Sequence, residues 1–219
     1  MRLRNRPWAL PELSECPYYI SDMSANRGNW HNWFGNENPI WLEVGCGKGM
    51  YLSGMAPVNS DINFIGADLK SLMLAYARRN IEAAFADSGA SVSNVALLST
   101  DAERIAESFS EADSVERIIL NFSNPWPKPK HHKKRLTHPR QLEAYKVFMK
   151  EGSYIDFKTD NDEYYKDTVG YLTMCGFNIV EQYFDYYDSH PIDTSILTEH
   201  ERKFLDLGLP IHYLEAKYR

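Results

Sequence analysis

The stretch Trp41-Leu42-Glu43-Val44-Gly45-Cys46-Gly47-Lys48-Gly49 decides the fold of this 219-residue chain. Residues 40–44 are a short, continuous apolar run broken by one acid, the pattern of a parallel strand buried on both faces. The run ends in glycines at alternate positions, which accept positive φ and let a ligand approach the backbone closely. A helix expected to begin near Met50 offers unpaired N–H groups just beyond. Strand, glycine turn and helix form the opening unit of a doubly wound α/β sheet.

The same loop narrows the ligand. A dinucleotide fingerprint needs glycine at the sixth position of Gly-x-Gly-x-x-Gly, where this chain has Met50, and a Walker loop is excluded because Lys48 is followed by glycine. Glu43 puts a carboxylate at the strand tip, which suits a ligand carrying an ammonium group better than one carrying phosphates. S-adenosylmethionine has such an ammonium. Asp68, 23 positions after Gly45, ends the next apolar run, where an acid accepts ribose hydroxyls or else caps the helix starting at Ser71. Asp101, after the third run, is either a cap or a partner for an adenine amino group.

Further along, apolar runs at 63–67, 95–98, 117–121 and 154–158 predict four more buried strands, and those at 178–184 and 212–216 complete a seven-stranded sheet. Amphipathic patterns at 71–85, 101–109, 139–150, 162–175 and 198–207 predict the intervening helices, with Gly89 and Gly176 as stops, Pro139 in a first turn and Thr198 as a cap. The fold class is therefore α/β, a Rossmann-like, doubly wound, mostly parallel sheet. Residues 1–38, with Pro7, Pro11, Pro17, Trp30, Trp33 and Phe34, read as an arm and covering helix; residues 39–219 read as the single α/β domain. Arg2, Arg4 and Arg6 belong either to an RNA contact or to a solvated tail. The polar stretch 188–195 is a loop.

Composition limits the partners. No apolar run reaches the roughly 18 residues of a membrane span and no signal-peptide pattern follows the first arginines, so a cytoplasmic protein is expected, monomer or homodimer. Cys16, Cys46 and Cys175 are three and far apart, which suggests neither disulfides nor a metal site. A net charge of -6 argues against non-specific coating of nucleic acid. One segment departs from that average: Lys128, Lys130, Lys133, Lys134, Arg135 and Arg140 fall between Pro125 and Arg140 with no acid among them. They follow the fourth strand, at the carboxyl edge where open α/β sheets place their sites, so the run reads as an RNA contact beside the ligand loop. Trp126 there either stacks on a base or packs the loop.

Five motifs in order, Glu43-x-Gly-x-Gly-x-Gly49, Asn121-Phe-Ser-x-Pro-Trp-Pro-Lys128, the basic run through Arg135-Leu-Thr137, Phe157-Lys-Thr-Asp160-Asn161 and Thr198-Glu-x-Glu201, closely resemble the bacterial tRNA (guanine-N7-)-methyltransferases, from about residue 38 to the end. The resemblance implies a class I methyltransferase with S-adenosylmethionine held by Glu43, Gly45, Gly47, Asp68, Asp101 and position 124. It further implies that Lys128, Asp160, Thr198, Glu199, His200 and Glu201 meet a guanosine of the tRNA variable loop. Lys130, His131, His132, Lys133, Lys134 and Arg135 would then contact RNA. The family usually has aspartate, often assigned as catalytic, where this chain has Asn124. Either Asp160 carries the catalytic contact, with Asn124 in a reduced role, or the chain is a tRNA-binding protein weakened in turnover. Asp160 otherwise reads as a turn residue, and Thr198 with Glu201 as a capping box.

Overall fold

The apolar runs become strands where each can bury both faces. A computed structural model describes residues 6–194 and 197–219. It contains β1 (Tyr19–Ile20), β2 (Ile40–Val44), β3 (Asn63–Asp68), β4 (Val95–Ser99), β5 (Val115–Asn121), β6 (Met149–Thr159), β7 (Phe177–Tyr183) and β8 (His212–Tyr218). The helices are α1 (Ala9–Ser14), α2 (Trp30–Phe34), α3 (Met50–Met55), α4 (Ser71–Ser88), α5 (Pro139–Lys146), α6 (Asp162–Met174) and α7 (Glu199–Asp206). The described strands make one sheet in the order β1-β4-β3-β2-β5-β6-β8-β7, parallel except for the pairings of β8 with β6 and β7.

Side-chain alternation divides the core in two. Phe64 and Leu97 join α1, α3 and α4 on one face, while the neighbouring Ile65 and Leu98 join Leu142, Tyr145, Tyr164 and Leu172 of α5 and α6 on the other. The chain runs from β2 outward to β3 and β4, then returns to place β5 on the other side of β2. That reversal opens a crevice at the carboxyl tips of β2 and β5, where doubly wound sheets bind ligands.

The sheet has eight strands rather than the expected seven, because Tyr19 and Ile20 pair with Leu97 and Leu98 at the edge. Two residues are too few to show a period in sequence. The arm around them is firmly seated: Trp30 is fully buried, stacks on Phe109 at 5.4 Å and donates its indole N–H to the Ser108 carbonyl. Asp113 accepts the backbone N–H groups of Gly28 and Trp30. Arg2 and Arg4 lie outside the described residues, as does Ser195 at the end of the predicted polar loop.

Three helix expectations change. The one at 139–150 stops at Lys146, since Met149 already pairs with Val115 and the apolar pair Phe148 and Met149 belongs to the sheet's core. The one at 101–109 becomes a 3-10 turn over Ala102–Glu107. The helix beginning at Ser71 extends past residue 85 to Ser88 and ends at Gly89 in the left-handed region, whose N–H reaches the Ala86 carbonyl while that of Ala90 reaches Phe85, as a Schellman-type stop requires.

Candidate active site

Gly47 and Gly49 shape the tip of β2. Gly49 caps α3 at φ 67°, and a Cβ there would lie 2.8 Å from the Ala77 Cβ, so the loop is pressed onto α4 as no side chain allows. Gly47 has φ 54° and nothing within 4 Å of its missing Cβ, leaving bare backbone facing the crevice. Asp68, at the tip of β3, fastens the loop: its Oδ2 accepts the Gly47 N–H at 3.1 Å and its Oδ1 that of Lys70 at 2.8 Å. The alternative reading of Asp68 as the α4 cap is not realised, because the cap position is Lys70. Burial raises the Asp68 carboxyl above its usual range, opposed by those N–H groups.

Glu43 is the unusual group. It is 2% exposed, its Oε1 accepts an N–H from Asn121 at 3.1 Å, and its Oε2 has no partner. Burial pushes its carboxyl up to about 8; the Asn121 bond opposes this, and the negative charges of Glu201 and Asp68 add to it. A buried carboxylate oxygen without a donor is costly, so the site fits a ligand that brings a cationic N–H group to it.

Above these acids lies a cavity of about 590 Å³, large enough for a nucleoside-sized ligand. Gly45, Gly47, Asp68, Asp101, Asn124 and Trp126 are among its lining residues, together with Lys133, Lys134 and His200. A second pocket of about 150 Å³ shares Gly45, Gly47, Phe122 and His200 and reaches down to Glu43. Asp101 takes the cap role, accepting the Glu103 N–H at the start of its 3-10 turn, and it lines the cavity.

The loop after β5 is built on two strained residues, Phe122 at φ 48° and Trp126 at φ 45°. Between them Asn124 accepts the Trp126 N–H on its Oδ1 at 3.0 Å, a turn that aspartate makes equally well. Trp126 packs the loop, parallel to His131 at 5.8 Å with the Lys134 ammonium 5.0 Å from its ring.

The basic run divides. Lys128, Lys130, Lys133 and Lys134 are exposed. Arg135, expected to meet RNA, does not face solvent: its side chain is 0% exposed. Its guanidinium donates to the Pro125 carbonyl at 2.6 Å, to Asp167 at 2.5 Å and to Glu163 at 3.3 Å, and lies over the Tyr164 ring. Its positive charge is used internally, to tie the loop to α6. His132 is drawn into the same cluster, 3.5 Å from Glu163 and 3.0 Å from Arg135. His132, Glu163 and Asp167 have the composition of a metal site, but the guanidinium already supplies their cation.

The remaining predicted residues separate likewise. Asp160, just past β6, is exposed and has no bond to another described residue; the α6 cap is Asn161, which accepts the Tyr164 N–H. Thr198 and Glu201 form the capping box of α7, and Glu201 is buried. Glu199 pairs with Lys48 of the glycine loop at 2.7 Å, and His200 stacks on Phe122 at 5.9 Å. Sequence reasoning missed Asn121 as the holder of Glu43, and Lys158 and Tyr187 as partners of Glu201.

A parallel sheet reversing between β2 and β5, closed by an antiparallel hairpin, with acids at the tips of β2 and β3 around a glycine loop, is the architecture of class I methyltransferases. The 16S rRNA methyltransferase KamB shares it with a TM-score of 0.64 at 14% identity, over 87% of this chain and 92% of that one. Residues 37–214 match the family described as "Putative methyltransferase". The tRNA (guanine-N(7)-)-methyltransferase of Clostridium beijerinckii is 44% identical over 99% of this chain and 98% of its own, and that of Ruminiclostridium cellulolyticum 43% identical over 100% and 93%. The chain belongs to the tRNA (guanine-N(7)-)-methyltransferase family.

Proposed function

We propose that this protein transfers a methyl group from S-adenosylmethionine to N7 of a guanine in tRNA. One observation carries the reading: the pocket that reaches the unpartnered Glu43 carboxylate adjoins, across the shared Gly45, Gly47, Phe122 and His200, the cavity lined by the exposed Lys133 and Lys134. A cationic donor and a polyanionic acceptor are thereby brought to one crevice. Glu43 holds the donor's ammonium, Asp68 has lone pairs left for ribose hydroxyls, and Asp101 faces the cavity where the adenine amino group is expected. When bound, S-adenosylmethionine supplies an electrophilic methyl on sulfonium.

Guanine N7 carries a lone pair and no proton, so the protein's task is to hold the base rather than to deprotonate it. Asp160, exposed at the carboxyl edge of β6, is free to accept the N1–H and N2–H bonds of the base and to balance the positive charge that grows on the ring. Asn124 keeps its turn and a facing position without a charge. The rival reading, a tRNA-binding protein without turnover, rested on the charge missing at Asn124; the relatives named as methyltransferases, 43% and 44% identical over nearly the whole chain, favour the enzyme.

Labelled methyl transfer to unmodified tRNA, with the modified nucleotide mapped by mass spectrometry, tests the proposal; a folded enzyme that leaves every guanosine unmodified refutes it. Asn124→Asp is expected to retain or raise turnover. Asp160→Ala is expected to lower kcat/KM about tenfold through the lost charge-assisted hydrogen bonds. Wild-type kcat/KM for Asp160→Ala would remove that residue from the base contact.

A further inference from the structure

Lys158 lies in register with Asn121 of β5 and Tyr213 of β8, beside the crevice. Its Nζ donates to Glu201 Oε1 at 2.8 Å, with the two side chains 17% and 2% exposed. The ammonium also lies 5.0 Å from the centre of the Tyr186 ring. Glu201 uses both oxygens inside the protein: Oε1 also accepts the Tyr187 hydroxyl at 3.0 Å, and Oε2 accepts the Thr198 N–H at 2.8 Å. Thr198 returns the bond by accepting the Glu201 N–H at 3.1 Å.

A capping box fixes where a helix begins but not where the helix sits. Helix α7 has eight residues, too few to persist without a tertiary anchor. Its first two residues are the ones that meet the cavity, Glu199 through Lys48 and His200 through Phe122. The Lys48–Glu199 pair is 36% and 56% exposed and is a weak tether. The buried Lys158–Glu201 pair joins the helix to the sheet, and removing the ammonium would leave the Glu201 charge enclosed with only neutral donors.

We propose that Lys158 is a positioning residue: by locking Glu201 it holds the first turn of α7 as a wall of the methyl-donor cavity, so that Glu201 acts through the helix and not by touching the base. The inference rests on the donor site proposed above. It departs from the role that the family resemblance gives Glu201, a substrate contact.

The test compares full-length Lys158→Met, Lys158→Arg and Tyr187→Phe with the wild type. Affinity for S-adenosylmethionine is measured by calorimetry without tRNA, hydrogen exchange is followed across residues 197–207, and kcat and KM are measured with tRNA. For Lys158→Met the donor Kd is expected to rise about tenfold and amide exchange in α7 to accelerate by a similar factor, with kcat at saturating donor within about threefold of wild type. Lys158→Arg is expected to recover most of both losses. Tyr187→Phe, which removes one of the two donors to Oε1, moves both in the same direction by about threefold and decides the matter if Lys158→Met does not fold. Unchanged donor affinity and exchange in a folded variant would overturn the proposal. So would a loss confined to kcat and tRNA binding, which would place Glu201 at the base. Exchange reads the anchor with no donor present, so a wild-type enzyme inactive on tRNA would sink the assigned reaction without touching this result.

Discussion

Replacing Arg135 by methionine is expected to lower unfolding stability by about 3 kcal/mol, at the low end for breaking a buried ion pair. The low end applies because Asp167 and Glu163, 36% and 60% exposed, keep part of their hydration when the guanidinium is gone. The loss has three sources: the Pro125 carbonyl forfeits its donor, two carboxylates of α6 face each other without a cation, and the guanidinium's packing on Tyr164 disappears. Pro125 lies inside the strained loop, between Phe122 and Trp126, so the damage should reach the site as a raised KM for tRNA. The double variant Lys133→Gln with Lys134→Gln sets the contrast. Its melting temperature should stay within a degree or two of wild type, while tRNA affinity falls and the slope of log affinity against log salt becomes shallower by about one to two counterions. Urea unfolding and tRNA titration at three salt concentrations separate the two behaviours. An Arg135→Met protein of wild-type stability that binds tRNA with a reduced salt slope would return Arg135 to the RNA surface.

That pair of variants marks what could be read from the residues and what could not. Sequence registers that Arg135 is cationic and sits in a cationic run; it does not register that Glu163 and Asp167, four residues apart on one face of α6, converge on it. The spacing of those two acids was the available signal, since like charges at that separation repel unless a cation lies between them. Glu201 follows the same pattern: its capping box was legible from Thr198-x-x-Glu201, but its burial against Lys158 depends on a pairing 43 residues distant. By contrast, the glycine loop, Glu43 and Asp68 were legible because all three lie within one strand-turn-helix-strand unit, where local geometry fixes the ends of adjacent parallel strands next to each other. The strands buried on both faces were found for the same reason, while β1 and the true end of α5 depend on partners far along the chain.

Glu43→Gln is expected to weaken S-adenosylmethionine binding on the order of 100-fold, as truncating one side of a buried charge pair does, and to change how binding responds to pH. In the ligand-free protein, burial pushes the Glu43 carboxyl up to about 8, so at pH 6 to 7 it is mostly protonated, while the proposed contact with the ligand's ammonium requires the carboxylate. Association therefore expels a proton, and affinity should climb about tenfold per pH unit from roughly 6 toward 8. Above that the ligand's own amine, with an ordinary pKa near 8, begins to lose its charge and affinity should fall again. Stability of the empty protein runs the other way. Its folded pKa lies above the unfolded one, so the folded state keeps a proton that the unfolded chain has released. The contribution is complete below the unfolded value of about 4.5 and is lost as pH rises through about 8. Glu43→Gln should thus flatten both curves together, binding the donor poorly at every pH yet resisting urea better than wild type near pH 8. Calorimetry at pH 7 in buffers of different ionisation enthalpy counts the proton directly. Release of none by the wild type, or undiminished affinity in the glutamine variant, would mean that the donor's ammonium is held elsewhere and that the orphan oxygen of Glu43 serves some other purpose.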